Sequence, residues 1–176
     1  MVTIEEVIAT LKKEWSCPRR SVHAGKESNE RFFCLFEDTG ISIPDDLHYT
    51  IPQDLIDFWA ITTEAILFKD AEYGQWGLKM LSPNHALHET QVHQLDRPLE
   101  YRRDDFVIGT FYSDSDLVVI RCDESAPDFG SIIISTCSDK RREWVSPAAT
   151  LKEFLELYYK AMGEKYWEAE DSWGEH

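Results

Sequence analysis

The side chains best suited to chemistry fall into three groups. His85, His88 and His93 lie close together with Glu89 beside them. His85 and His88 are three apart, a spacing that puts both on one face of a helix. Imidazoles so placed could begin a metal site, which needs a third ligand and hydrogen-bonded support behind it. No HExxH pattern completes one, and surface or half-buried histidines are the simpler reading. Asp104-Asp105 and Asp114-Ser115-Asp116 could pair carboxylates for acid–base or metal work. Aspartates also favour turns for conformational reasons alone. The cysteines are Cys17, Cys34, Cys122 and Cys137, with no pair closer than 15 residues, so there is no CxxC. Cys122 and Cys137 fall in or beside strand-like runs and read as buried small apolar side chains. No Gly-rich phosphate loop, GxSxG or Walker pattern is present. The expectation is a protein without catalytic, cofactor or metal residues.

The charge balance points to binding instead. Lys plus Arg number 18 against 33 Asp plus Glu, a net charge of −15. Nucleic acid and anionic membranes need a basic surface, so neither is an expected partner. A charged partner should be a basic protein. The acids concentrate between residues 104 and 128, where Asp104, Asp105, Asp114, Asp116, Asp123, Glu124 and Asp128 stand against Arg121 alone. If that segment is a strand meander, many of these acids sit in its loops on the rim of one sheet. A nuclease holds phosphates in a positive cleft, and an acidic protein can fill that cleft by matching the substrate's charge. Such pairs associate fast and weaken with salt.

A chain of 176 residues, 43% hydrophobic, suits one folded domain. Residues 1–176 are read as that domain, with its core at about 50–160, an N-terminal helix at 3–16 and an acidic tail at 164–176. Acids occupy the start, where a secretory signal would be basic. No uncharged apolar run approaches the roughly 18 residues that a spanning helix needs. With reduced thiols as the default, these features predict a soluble cytoplasmic protein; its oligomeric state is open.

The elements that must position the acids read as follows. Ile4, Val7, Ile8, Leu11 and Trp15 have helical spacing, with Thr3 and Glu6 as a capping box. Residues 19–31 are polar and read as a loop. Arg31 to Phe36 is a short buried element of either type, punctuated by Asp38-Thr39-Gly40. Thr50-Ile51-Pro52-Gln53 starts a second helix, with Thr50 as cap and Pro52 in the first turn, running to about Thr63. Leu67-Phe68 opens a strand, and Trp76, Leu78 and Met80 alternate as another. Ser82-Pro83 begins a short helix reaching about Val92. Phe106–Phe111, Leu117–Cys122 and Ser131–Thr136 form an antiparallel meander, to which Glu143-Trp144-Val145 could add an edge. A last helix starts at Ser146-Pro147 or Thr150 and stops at Gly163. Trp59, Tyr73, Trp76 and Trp144 read as core and sheet-packing residues, and Gly74 and Gly77 as the makers of a bulge or tight turn. The fold class is α+β.

The run Ile51-Pro52-Gln53-Asp54-Leu55-Ile56-Asp57-Phe58-Trp59, then Ile66-Leu67-Phe68, then Tyr73-Gly74-Gln75-Trp76-Gly77-Leu78, resembles the SUKH superfamily. That group comprises the fungal Smi/Knr cell-wall-synthesis regulators and many bacterial toxin-immunity proteins. Phe106-Val107-Ile108-Gly109 and Trp144 through Tyr158 match its later strand pair and C-terminal helix. The residues carrying the likeness are Pro52, Leu55, Phe58, Trp59, Leu67, Phe68, Tyr73, Gly74, Trp76, Gly77, Leu78 and Trp144. Ile61-Thr62-Thr63-Glu64-Ala65 departs from it, because members often place an Asn-Gly or Gly-Gly turn there. The resemblance implies a bent, mainly antiparallel sheet of about five to six strands flanked by helices. It also implies no catalysis, and an immunity-type antidote that binds a toxin domain, often a nuclease. A regulatory or scaffolding adaptor is the alternative, and a metal-dependent enzyme the second.

Overall fold

The computed structural model describes residues 2–37, 43–45 and 47–168. Asp38-Thr39-Gly40 and the tail beyond residue 168 lie outside these residues. Among the described residues, four α-helices and eight strands build the α+β fold. The strands are β1 (Arg19–His23), β2 (Lys26–Phe36), β3 (Ala65–Asp70), β4 (Leu78–Met80), β5 (Asp105–Phe111), β6 (Leu117–Arg121), β7 (Ile132–Ser135) and β8 (Val145–Ala148). They form one antiparallel sheet in chain order, each strand paired with the next. The helices are α1 (Ile4–Trp15), α2 (Gln53–Ile61), α3 (Pro83–Asp96) and α4 (Leu151–Lys160).

The sheet has more strands than the five to six expected. The excess comes mainly from residues 19–31, which are a hairpin and not a loop. Ala24 and Gly25 turn it with φ of 50° and 77°. Its outward side chains are polar because β1 is an edge of the sheet and one side faces water.

Helix starts follow their caps. Thr3 and Glu6 close a reciprocal capping box on α1. Ser82 accepts from the His85 N–H, and Thr150 from the Glu153 N–H. The second helix differs from expectation. It begins at Gln53, Pro52 stands at the cap position without a side-chain bond, and the Gln53 amide donates to Asp57 four residues on. Thr50 caps nothing there.

β5 and β6 are buried along almost their whole length, as strands covered on both faces are. α3 packs against β5, while α1, α2 and α4 pack on one another. Leu55, Phe58, Trp59, Leu67, Phe68 and Leu78 are all buried, and the Trp59 indole N–H donates to the Leu81 carbonyl at 3.0 Å. Gly74 (φ 66°) and Gly77 (φ 125°) shape the turn into β4. A Cβ on Gly77 would meet the Lys69 backbone at 2.8 Å, so only glycine fits this approach. Trp76 precedes the strand and its indole N–H donates to the Gly163 carbonyl at 3.0 Å.

Tyr158 is buried between Phe68 and Phe154, with no partner for its hydroxyl among the described residues. Burial holds its phenol far above the usual range. An unsatisfied buried hydroxyl costs about 1–3 kcal/mol, and removing it leaves nothing unpaired. Tyr158→Phe is therefore expected to match or exceed the wild type by up to about 1 kcal/mol in urea unfolding. A clear loss would mean that the hydroxyl has a partner.

Candidate functional site

The acidic segment is divided by the very meander that carries it. β5 and β6 pair from Thr110–Leu117 at one end to Asp105–Arg121 at the other. The turn at 112–116 thus lies at one end of β6, and the loop at 122–131 at the opposite end, with Asp104 beside it. Five strand residues separate the two ends by about 17 Å. The seven acids do not share a rim.

At the first end, Asp114 and Asp116 hold a lysine. Lys165 Nζ lies 2.6 Å from Asp114 Oδ2 and 2.9 Å from Asp116 Oδ2, over the face of Phe111. Lys165 is only 4% exposed. Burial opposes its charge, but the two carboxylates outweigh it and hold its pKa above the ordinary value. Burial likewise opposes the Asp114 charge, and the Lys165 and Asp116 hydrogen bonds hold its carboxyl below the usual range. Trp167 packs beside this pair on Phe111 and Phe154. These acids dock the chain after α4 onto the body, so they are engaged internally.

At the second end, Asp105 is fully buried and not on the surface as expected. Its Oδ1 accepts from Arg121 Nη1 at 2.7 Å and Arg141 Nη2 at 3.0 Å. Its Oδ2 accepts from the Arg102 N–H at 2.7 Å and faces Arg141 Nη1. Asp128, half exposed, accepts from Arg121 Nε at 3.2 Å. Burial opposes the Arg121 charge, but Asp105 and Asp128 raise its pKa further. Asp123 turns the loop by accepting from the Ser125 hydroxyl and N–H, which hold its carboxyl below the usual range. Glu124 is exposed at the tip and Asp104 is half-buried.

Next to this loop an open groove of about 560 Å³ runs between residues 127–131, β8 and the start of α4. Pro127, Phe129, Ile133 and Pro147 give it apolar walls, with Asp128 and Glu153 as its acids. Phe129 is 37% exposed, a large ring left in water beside carboxylates. Sequence reasoning found the acids here but not Phe129, whose neighbours read only as turn residues.

The remaining candidates go to other places. His85 Nδ1 lies 2.7 Å from Glu64, His93 pairs with Glu89 and stacks on Tyr101, and His88 is exposed. Among the described residues no group of three or more His, Cys, Asp or Glu side chains is placed to hold a metal. Cys122 is buried, which pushes its thiol up to about 12. Cys137 is exposed, contrary to the sequence reading, because it follows β7 in a surface turn. Tyr73 is 73% exposed and packs no core, since the turn after β3 carries it outward. Trp144 is half-buried, flanked by the Arg97 and Arg141 guanidiniums and edge-on to Tyr101.

No known family model, curated protein or solved structure matches the chain. Among the described residues no helix is long and apolar enough to cross a membrane.

Proposed function

We propose that this chain is a non-catalytic protein-binding domain of the SUKH immunity type, acting in the cytoplasm on a toxin domain with a basic face. The order of elements supports the resemblance: a helix with Phe58-Trp59 near its end, a strand with Leu67-Phe68, a glycine turn into β4, the β5–β6 pair and α4. The observation that carries the binding reading is the groove beside the 122–131 loop. It joins an exposed aromatic side chain, apolar walls and carboxylates at one place. Dominant contact residues in interfaces are buried aromatic anchors ringed by polar groups, and Phe129 with Asp123, Glu124 and Asp128 has that composition. A chain carrying −15 adds long-range attraction to a basic partner.

The test is co-purification from the native host followed by binding kinetics of the captured partner. Glu124→Lys is expected to slow association and flatten its salt dependence, because an exposed rim charge acts on the encounter. Phe129→Ala is expected to weaken affinity by about tenfold or more, chiefly through dissociation. Unchanged rates, affinity and salt response in both variants would place the interface elsewhere.

A further inference from the structure

A second groove, of about 440 Å³, opens near the other edge of the sheet, between the β1–β2 hairpin and the turn after β3. Its lining includes three carboxylates, Glu30, Asp70 and Glu164, and three aromatic rings, Phe32, Tyr73 and Trp76. Among the described residues no lysine or arginine lines it. Its histidine, His23, is engaged through Nε2 with the Ala161 carbonyl at 3.1 Å.

The walls are built before any ligand arrives. Trp76 is fixed by its bond to the Gly163 carbonyl. Asp70 accepts from the backbone N–H groups of Glu72, Tyr73 and Gln75 at 2.9, 2.6 and 3.0 Å. Burial opposes its charge, but these donors outweigh it and hold the carboxyl below the usual range. Asp70 thus supplies a fixed negative charge while the same turn presents Tyr73 to solvent. A cation is drawn to the face of an aromatic ring and to carboxylates together. A planar guanidinium can stack on a ring and pair with a carboxylate at once, which an ammonium cannot.

We propose that this groove captures an arginine side chain from an extended segment of a partner protein. The groove holds one long side chain and its backbone, not a folded domain. It is separate from the surface beside β8, so the two assignments stand or fall independently.

The probe is a blocked Gly-Ser-Arg-Ser-Gly peptide titrated into the isotopically labelled full chain at low salt, with a citrulline version as the neutral control. Saturable shifts are expected at the Trp76 indole and at the Tyr73 and Gln75 amides, with none from the citrulline peptide. Tyr73→Ala should weaken binding about fivefold, as should Glu30→Gln combined with Glu164→Gln, while Glu124→Lys should leave it unchanged. Equal binding of citrulline, unchanged affinity in Tyr73→Ala, or non-saturating shifts spread over the acidic surface would overturn the assignment.

Discussion

Asp105→Ala is expected to lower the free energy of unfolding by about 3–5 kcal/mol, read as a fall in the urea midpoint at constant slope. The carboxylate is fully buried and sits between two guanidiniums. The Arg121 side chain is itself only 3% exposed. Without Asp105 its remaining partner is Asp128, whose side chain is 46% exposed and therefore well solvated. A buried cation would be left largely uncompensated, which is the costly way to break an ion pair. The Arg102 N–H would lose its acceptor as well. Asp105→Asn keeps the shape and one acceptor but not the charge, so a smaller loss is expected. Asp128→Ala removes an exposed partner and should cost under about 1 kcal/mol. If Asp105→Ala fell within 1 kcal/mol of wild type, this network would not be what holds the end of the meander. The consequence reaches function, because Asp105, Arg121 and Arg141 tie the start of β5, the end of β6 and the turn before β8 together. The 122–131 loop and its groove are mounted on that knot. Loosening it should degrade the proposed partner binding even where Phe129 and Glu124 are untouched.

How far the chain could be read before its structure was known depends on where each residue's partner lies. The meander was legible because β5, β6 and β7 are runs of Val, Ile and Phe with short loops between them, and each pairs with its neighbour in sequence. The helix caps at Thr3, Ser82 and Thr150 were legible because a cap and its N–H are three residues apart. The β1–β2 hairpin was not. Arg19, Arg20, Glu27 and Arg31 are all exposed, on both faces of the hairpin, so it carries no clear apolar period, and only Ala24-Gly25 marked the turn. The acidic segment was misjudged for two separate reasons. Successive turns of a meander must fall at opposite ends of the strand between them, a topological fact that already forbade one shared rim. Counting charges within a window also missed Arg141 and Lys165, which neutralise Asp105, Asp114 and Asp116 from far along the chain. Lys165 did leave a trace: it is a lone cation among acids, followed by Tyr166 and Trp167, a composition that favours docking over solvation. Tyr73 went the other way. An aromatic residue inside a glycine-rich motif read as packing, but the turn that Asp70 organises points it into water.

Among the described glycines Gly163→Ala should be the most damaging added methyl, costing about 2–5 kcal/mol. Two penalties add at one atom. Gly163 sits at φ 82°, in the left-handed region that disfavours any Cβ. The added carbon would also fall on the Phe68 Cβ and within 2.5 Å of its Cγ. These are not the far end of a flexible side chain. Phe68 is fully buried, with a left-handed backbone of its own at φ 52°, and is held edge-on between Trp15 and Tyr158 at centroid distances of 4.8 and 5.4 Å. It cannot yield without displacing the aromatic packing that joins α1, β3 and α4. The alternative is for the chain after α4 to lift away. That would pull the Gly163 carbonyl from the Trp76 indole and draw Lys165 off Asp114 and Asp116. The two responses are distinguishable. Core repacking should shift the buried Trp15 and Tyr158 signals while leaving Lys165 protected. Lifting should expose Trp167 and the Lys165 amine to solvent and chemical labelling, and leave the α1 side of the core unchanged. The geometry favours lifting, since Phe68 is fully buried in the core while Tyr166 and Trp167 are only partly buried against it. Wild-type stability in Gly163→Ala would contradict both and show that the close approach of residue 163 to Phe68 does not occur in solution.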